Sequence, residues 1–444
     1  MFRKVLIANR GEIAMRVILA CKELGVQTVV VYSEADRLSL PVRMADEAVC
    51  IGPAPNSESY LNIPAIISAA EVTNVDAIHP GYGFLAENAN FAEICIACGI
   101  MFIGPPPKMI KLMGDKALAR EVMQQRGLSV LPGTDRINGS KHFERLAEQI
   151  GYPVIIKAVA GGGGKGMRVV RDPGELSRSV ELAQVEAGKA FVNPAVYVEK
   201  YLEHPRHIEF QVIVDRDGNA VHLGERECSI QRRHQKLLEE APSVAVTAEQ
   251  RAALGEKVAL AVRDLGYESV GTLEFLMDPQ GHFYFMEMNT RIQVEHPVTE
   301  AVTGIDLVKE QILVAAGESL SFRQQDIEWR GHCIECRINA ECPDTFVPSP
   351  GTITAFIPPG GPGIRVDTAA FASLKISQYY DSMIAKLIAY GPDRTVAIQR
   401  MRRALDTMVV EGVKTTIPLH QKILRHSDFT EGRLSTSFLE RINA

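Results

Sequence analysis

Two acidic residues and an asparagine stand where a β-hairpin would bring them together. Residues 271–289 contain two β-type segments around the turn Asp278-Pro279-Gln280-Gly281. Folding there sets Glu274 close to opposite Glu287, and Asn289, two residues further on, shares the face of Glu287. Two carboxylates and an amide oxygen on one face repel each other unless a hard cation sits between them. Glu274, Glu287 and Asn289 are therefore candidate ligands for Mg2+ or Mn2+, which would also bridge nucleotide phosphates. The alternative is a pair of solvated acids; the neighbouring Phe275, Phe283, Tyr284 and Phe285 argue for partial burial. Directly downstream, Glu287-Met288-Asn289-Thr290-Arg291-Ile292-Gln293-Val294-Glu295-His296-Pro297 has the density of functional groups expected of an active-site loop. Arg291 offers a planar fork for an oxyanion, and Glu295 is a candidate base.

Two more stretches suit anions. Gly161-Gly162-Gly163-Gly164-Lys165-Gly166 joins two strand-like segments, so its match to G-x-G-x-x-G lacks the helix a dinucleotide site requires. Its bare backbone N–H groups can close over phosphates, or it is a plain hairpin loop. Lys157, in the strand just before it, favours the first, because a buried strand rarely carries lysine without an anionic partner. Arg226, Arg232, Arg233, His234 and Lys236, with Glu239 and Glu240 behind them, form either a solvated charge run or an anionic-substrate site. Gln231, His234 and Lys236 are its more telling members.

The elements that must position these groups follow from periodicity. Up to residue 110, strands at 5–8, 29–32, 76–79 and 101–104 alternate with helices at 11–24, 63–70 and 88–97, which predicts a parallel sheet with helices on both faces. Lys116 falls on a helix. Strands at 153–158 and 167–170 flank the glycine run. Segments at 195–200, 207–214 and 220–226 follow without intervening helices and are expected to be antiparallel. Helices are expected at 248–265 and 308–316. From about residue 331, strands at 332–337 and 352–357, a segment at 381–390 and a helix at 394–408 give an α+β pattern.

The chain has 444 residues, enough for about three domains at roughly 150 residues each. Its 46% hydrophobic and 23% charged residues exclude disordered, collagen-like and coiled-coil classes. Lys plus Arg (48) against Asp plus Glu (54) leaves a net charge of −6, which argues against a nucleic-acid coat. No apolar run approaches the roughly 20 residues of a membrane span, and the N-terminal apolar stretch stops at Ala8, too short for a signal sequence. A soluble cytoplasmic protein is expected, with no membrane partner. The C-x-x-C pairs Cys95/Cys98 and Cys333/Cys336 lie in an expected helix and an expected strand. Buried reduced cysteines are expected there, with zinc or redox work as the alternative.

Five motifs, in order, resemble the biotin carboxylases: Ile7-Ala8-Asn9-Arg10-Gly11-Glu12-Ile13-Ala14, His79-Pro80-Gly81-Tyr82-Gly83-Phe84, residues 161–168, Gln231-Arg232-Arg233-His234-Gln235-Lys236, and residues 287–300. The resemblance covers essentially the whole chain. It implies the ATP-grasp fold, α/β and α+β in class. The expected parts are an N-terminal Rossmann-like parallel-sheet lobe (1–114), a central ATP-grasp domain (115–330) with a mobile glycine-rich lid at about 131–203, and a C-terminal α+β domain (331–444). The implied activity is ATP-dependent carboxylation of biotin by bicarbonate through carboxyphosphate, giving carboxybiotin, ADP and phosphate. This is the first half-reaction of a biotin-dependent carboxylase such as the acetyl-CoA carboxylase of fatty acid biosynthesis.

By the same resemblance, Lys116 and Lys157 hold ATP phosphates beneath Gly163 and Gly164 of the lid. Glu199, Lys200, Tyr201 and Leu202 contact adenine, and His207, Gln231 and His234 line the nucleotide site. Glu274, Glu287 and Asn289 hold Mg2+ or Mn2+, with two ions expected. Lys236, Arg291, Gln293 and Val294 bind bicarbonate, which Glu295 deprotonates. Arg337 stabilises the enolate of biotin's ureido group, and Tyr82 lies near that site. No Ala-Met-Lys-Met attachment motif occurs in the chain. Biotin is therefore expected as a substrate on a separate biotin carboxyl carrier protein. The further partner implied is the carboxyltransferase subunit, and a homodimer is implied too. Cys342 stands where the family usually has an acid, with a local effect expected outside the chemistry. The competing expectations are another ATP-grasp carboxylate–amine ligase, which should lack the 291–295 loop together with Arg337, and a non-enzymatic nucleotide-sensing scaffold.

Overall fold

The computed structural model describes residues 1–134, 143–159, 167–191 and 193–443. At the N-terminus, strands Lys4–Ile7, Gln27–Tyr32, Glu47–Cys50, Ala77–His79 and Met101–Phe102 form one parallel sheet, with Lys4–Ile7 at its centre between Gln27–Tyr32 and Ala77–His79. Successive side chains of the central strand point to opposite faces: Val5 and Ile7 join the core under helix Gly11–Glu23, while Leu6 and Ala8 join the core under helices Ile63–Val72 and Ala89–Ala97. Both faces are thus covered, as the apolar run required. Asn62 and Asn88 cap the last two helices by accepting from Ala65 N and Phe91 N.

The central sheet has eight antiparallel strands. Its order is Phe283–Asn289, Ser269–Met277, Arg206–Val214, Ala220–Arg232, Gln235–Ala241, His332–Asn339, Met383–Gly391 and Ile364–Thr368. The expected hairpin forms, and a bulge between Glu274 and Phe275 sets Glu274 opposite Glu287 and Thr272 opposite Asn289. Gln235–Ala241 pairs with His332–Asn339, so the hydrogen-bonded sheet runs unbroken across residues 330 and 331.

Between the parallel sheet and the central one in chain order comes a smaller unit. Strands Arg168–Val170, Val154–Ala158 and Val196–Lys200 carry helices Phe143–Ile150 and Leu176–Phe191 over a separate core that includes Ala147, Ile156, Leu176, Val180, Ala183 and Val198. The expected glycine-rich flap, with Gly163 and Gly164, lies outside the described residues.

Two expectations need correction. The single strand at 352–357 is two: Gly351–Thr352 pairs with Lys375–Ile376, and Ala355–Ile357 pairs with Val409–Glu411, because the chain changes partners between them. Of the four C-x-x-C cysteines, Cys98 is exposed, since it caps the end of its helix rather than facing the core. Cys333 and Cys336, three apart in a strand, point to opposite faces and join different cores, so they cannot share a metal. Among the described residues, no helix is long and apolar enough to cross a membrane.

Candidate active site

A cleft of about 780 Å3 opens where the N-terminal lobe, the central sheet and the small unit meet. Tyr82, Lys116, Lys157, Lys200, Tyr201, Leu202, His207, Gln231, His234, Lys236, Glu274, Glu287, Asn289, Arg291, Gln293, Val294, Glu295 and Arg337 all line it. The Glu199 side chain does not. It lies behind the wall, paired with Lys157 at 2.5 Å and with Arg120.

One end of the cleft is a cluster of buried charges. Lys236 Nζ meets Glu209 Oε2 at 2.5 Å, Glu274 Oε1 at 2.9 Å and Glu295 Oε1 at 2.6 Å. Glu295 is the N-cap of helix His296–Thr303, and its other oxygen accepts from Arg337 Nη2 at 2.9 Å; Arg337 Nε donates to Glu239 at 2.6 Å. Beneath them Arg226, wholly buried, spends its donors on Glu209, Gln211, Thr299, Thr272 and Gln293. Gln293 in turn donates to Glu274 at 2.8 Å. Burial opposes ionisation of Glu295, but Lys236, Arg337 and Arg226 outweigh it and hold the carboxyl well below its usual range. Burial likewise opposes the Lys236 charge, and Glu209, Glu274 and Glu295 push its pKa well above normal. The Lys236–Glu295 pair is therefore fully ionised.

Arg291 ties this end to the N-terminal lobe. Its Nε donates to Glu87 at 2.8 Å and its Nη2 to Asn289 Oδ1 at 2.9 Å. Tyr82 is set by the loop after strand Ala77–His79. Asn9 Nδ2 donates to Pro80 O and Tyr82 O, both at 2.7 Å, and Gly81 sits between them with φ +62°. A Cβ at Gly81 would come within 2.9 Å of Asn9 Nδ2, so both the backbone and the close approach require glycine. The Tyr82 hydroxyl donates to Glu12.

The other end is more open. Lys116, the first residue of helix Lys116–Gln125, reaches Glu287 Oε2 at 2.6 Å. His207 Nε2 lies 2.9 Å from Glu274 Oε2; burial opposes its protonation, but Glu274 raises its pKa overall. His234 stands at the tip of the two-residue hairpin Arg233-His234, both in the left-handed region with φ +47° and +66°. This is the backbone of a tight hairpin turn, held here by non-glycine residues at a strain of order 1–3 kcal/mol each. Leu131, Ile155, Met167, Leu202 and Leu276 form an apolar wall nearby.

The three hairpin residues expected to hold a metal line one wall of the cleft. Asn289 Nδ2 lies 2.8 Å from Glu274 Oε1, and Glu287 is Glu274's cross-strand neighbour. Hard oxygen donors on one cleft wall fit Mg2+. The structure also gathers His207, Glu209 and Glu274, with ligand atoms within 4.8 Å of one another. Glu209, Glu12 and Glu87 were not anticipated as site residues, whereas Glu239 belonged to the charge run flagged as a candidate anion site. For Glu209 a signal existed: His207, Glu209 and Gln211 alternate in a strand whose other face is apolar, and a polar stripe on a buried strand marks a site.

A Rossmann-like lobe, an antiparallel sheet and a cation-lined cleft beneath a small α/β unit define an ATP-grasp enzyme. Residues 115–323 match the family model for the carbamoyl-phosphate synthase L chain, ATP binding domain; residues 1–110 and 335–441 match those for the biotin carboxylase N-terminal and C-terminal domains. A biotin carboxylase of Allochromatium vinosum is 57% identical over all of this chain and 99% of the relative. A pyruvate carboxylase subunit of Methanothermobacter thermautotrophicus is 55% identical over 99% of this chain and 90% of its own length. The biotin carboxylase domain dimer of Hydrogenobacter thermophilus 2-oxoglutarate carboxylase, solved with MgADP, ADP and bicarbonate, superimposes with a TM-score of 0.96 at 54% identity, covering 99% of this chain and 98% of that one. The chain belongs to the biotin carboxylase family.

Proposed function

We propose that this chain carboxylates biotin with bicarbonate and ATP, through carboxyphosphate, as the first half-reaction of a biotin-dependent carboxylase. The observation that carries this is the Lys236–Glu295–Arg337 cluster closing one end of a cleft whose other end presents Lys116 and Lys157. A ligase for another carboxylate needs the second set; the first set is surplus to it.

ATP lies with its base against the wall of Leu131, Ile155, Met167, Leu202 and Leu276, at the 200–202 backbone. Lys116 and Lys157 face its phosphates, and His207, Gln231 and His234 flank them. Glu274, Glu287 and Asn289 hold Mg2+ or Mn2+, in two ions, which when bound neutralise phosphate charge. Asn289 turns from Arg291, and Glu287 from Lys116, to do so. Bicarbonate binds between Lys236, Arg291, Gln293 and Val294. In the free enzyme Glu295 is a weak base, because Lys236 and Arg337 both lean on it. An anion drawing those cations to itself lifts that grip, so Glu295 becomes a competent proton acceptor only when bicarbonate is present. Arg337, turned from Glu295, stabilises the ureido enolate beside Tyr82.

Biotin arrives on a separate carrier protein, a carboxyltransferase subunit completes the reaction, and the chain works as a homodimer; the dimeric Hydrogenobacter domain supports the last point. Phosphate release from MgATP, with and without bicarbonate and biotin, tests the proposal. Release that needs bicarbonate and rises with biotin is expected. Release driven instead by another carboxylate, with no response to biotin, would favour the ligase.

A further inference from the structure

Lys386 has no surface exposed, and its Nζ donates to the carbonyl of Val294 at 2.9 Å. It stands across from Arg337 and Asp367 in adjacent strands, on the sheet face that carries the charge cluster. Glu12, at 3.3 Å, and Asp367, at 3.8 Å, balance its charge. Glu12 also accepts the Tyr82 hydroxyl. An unbroken chain of contacts therefore runs from Tyr82 through Glu12 and Lys386 to the main chain of the 293–295 loop.

Burying an ammonium is costly unless its partners are fixed, and here one partner is a backbone carbonyl beside the reacting groups. A trans peptide is planar, so the Glu295 N–H points opposite to the Val294 carbonyl. Lys386 lies off the cleft, whereas Val294 and Glu295 line it. Drawing the carbonyl to Lys386 turns the Glu295 N–H toward the cleft, at the positive end of helix His296–Thr303.

We infer that Lys386 is a positioning residue for bicarbonate: through the Val294 carbonyl it holds the Glu295 amide and carboxylate toward the bound anion. The inference rests on the bicarbonate site proposed above. It assigns the Lys386–Glu12 pair to anion affinity and not to nucleotide binding, since neither residue touches Lys116, Lys157 or Glu287.

The test is steady-state phosphate release by the full-length enzyme and by Lys386→Met, with bicarbonate and MgATP varied in turn. The inference expects the bicarbonate KM to rise about tenfold or more, equivalent to roughly 1.4 kcal/mol, with the MgATP KM within about twofold of wild type. A general structural role would lower the melting temperature and kcat and leave the bicarbonate KM in place, which overturns it. Where Lys386→Met does not fold, Glu12→Gln decides: it keeps the lysine and removes its nearer counter-charge. A bicarbonate KM about threefold higher supports the inference, and an unchanged one overturns it. Wild-type enzyme whose phosphate release ignores bicarbonate would instead overturn the proposed function, so the two failures are told apart.

Discussion

The two ends of the cleft are built on opposite principles. At the anion end, Lys236 touches three carboxylates, and the side chains of Glu209, Glu295 and Lys236 keep only 0%, 3% and 12% of their surface exposed. Glu209 and Lys236 come from one continuous sheet, and Glu295 from the helix cap packed on it. At the nucleotide end, Lys116 and Glu287 form a single pair with 27% and 29% exposed. The helix starting at Lys116 and the hairpin strand with Glu287 share one core, while Lys157 comes from the small unit with a core of its own. A buried network is over-determined, so its framework is fixed before substrate arrives and only the Lys236 and Arg337 side chains turn to the anion. A half-hydrated pair that faces a separately packed unit is free to rearrange around a nucleotide and metal. The anion end therefore supplies preorganisation, and the nucleotide end supplies adjustment.

The sharpest way to break this contrast is at Glu295. Glu295→Gln keeps the shape and removes the proton acceptor, and biotin carboxylation should fall about 1,000-fold. A loss under about tenfold would show that the buried cluster is scaffold. Arg337→Ala comes next, with biotin carboxylation down about 100-fold and bicarbonate-dependent ATP cleavage spared by comparison. Equal loss of both activities contradicts the enolate role. Because Glu239 and Glu295 are then left without their shared cation, unfolding should also become easier by about 3–5 kcal/mol in denaturant titration. At the other end, Lys116→Ala should raise the MgATP KM about tenfold with little change in melting temperature, since the freed Glu287 is already partly hydrated. A large stability loss there would erase the distinction between the ends.

The same contrast governed what could be seen in the sequence. The hairpin was legible because a turn signal stands between two strand-like segments, but the exact pairing of Glu274 with Glu287 depends on a β-bulge between Glu274 and Phe275 that the two-residue period does not foretell. The parallel lobe was legible because strands buried on both faces are continuous apolar runs. Helix Leu176–Phe191 was not foreseen, since its inward positions 176, 180, 183 and 187 include two alanines, which mark a buried stripe weakly. Strand Gln235–Ala241, where the central sheet continues into its C-terminal strands, looked like a charge run because its polar residues serve the cluster. The partners that complete the site are remote. Glu87 lies 204 residues from Arg291, and Lys386 lies 92 from Val294, so no local pattern connects them. Motif resemblance supplied the reacting residues, but the groups that hold them came only from the folded chain.

Within the buried cluster Glu239 and Glu335 behave contrary to Glu295, burial holding both above the usual carboxylate range, and Glu335 gives the smallest effect and the finest test. Glu335 lies directly across from Glu239 in the adjacent strand, and neither of its buried oxygens has a hydrogen-bond partner among the described residues. Glu239 is engaged by Arg337, so Glu335 is the member that keeps a proton. Burial pushes its pKa well above normal; Lys386 and Arg337 oppose the shift, while Glu239 and Glu295 add to it. The sign of its pH effect is opposite to that of Glu295. Glu295, with its pKa lowered in the fold, contributes stability above the unfolded carboxylate value of about 4.3 and loses it as pH falls. Glu335 binds a proton in the fold that the unfolded chain releases above about pH 4.3, so its contribution to stability declines as pH rises toward its raised native value. Glu335→Gln removes that decline. The variant should melt higher than wild type at about pH 8, by a few degrees, and the gap should close toward about pH 4. A gap independent of pH would mean that Glu335 is ionised in the fold.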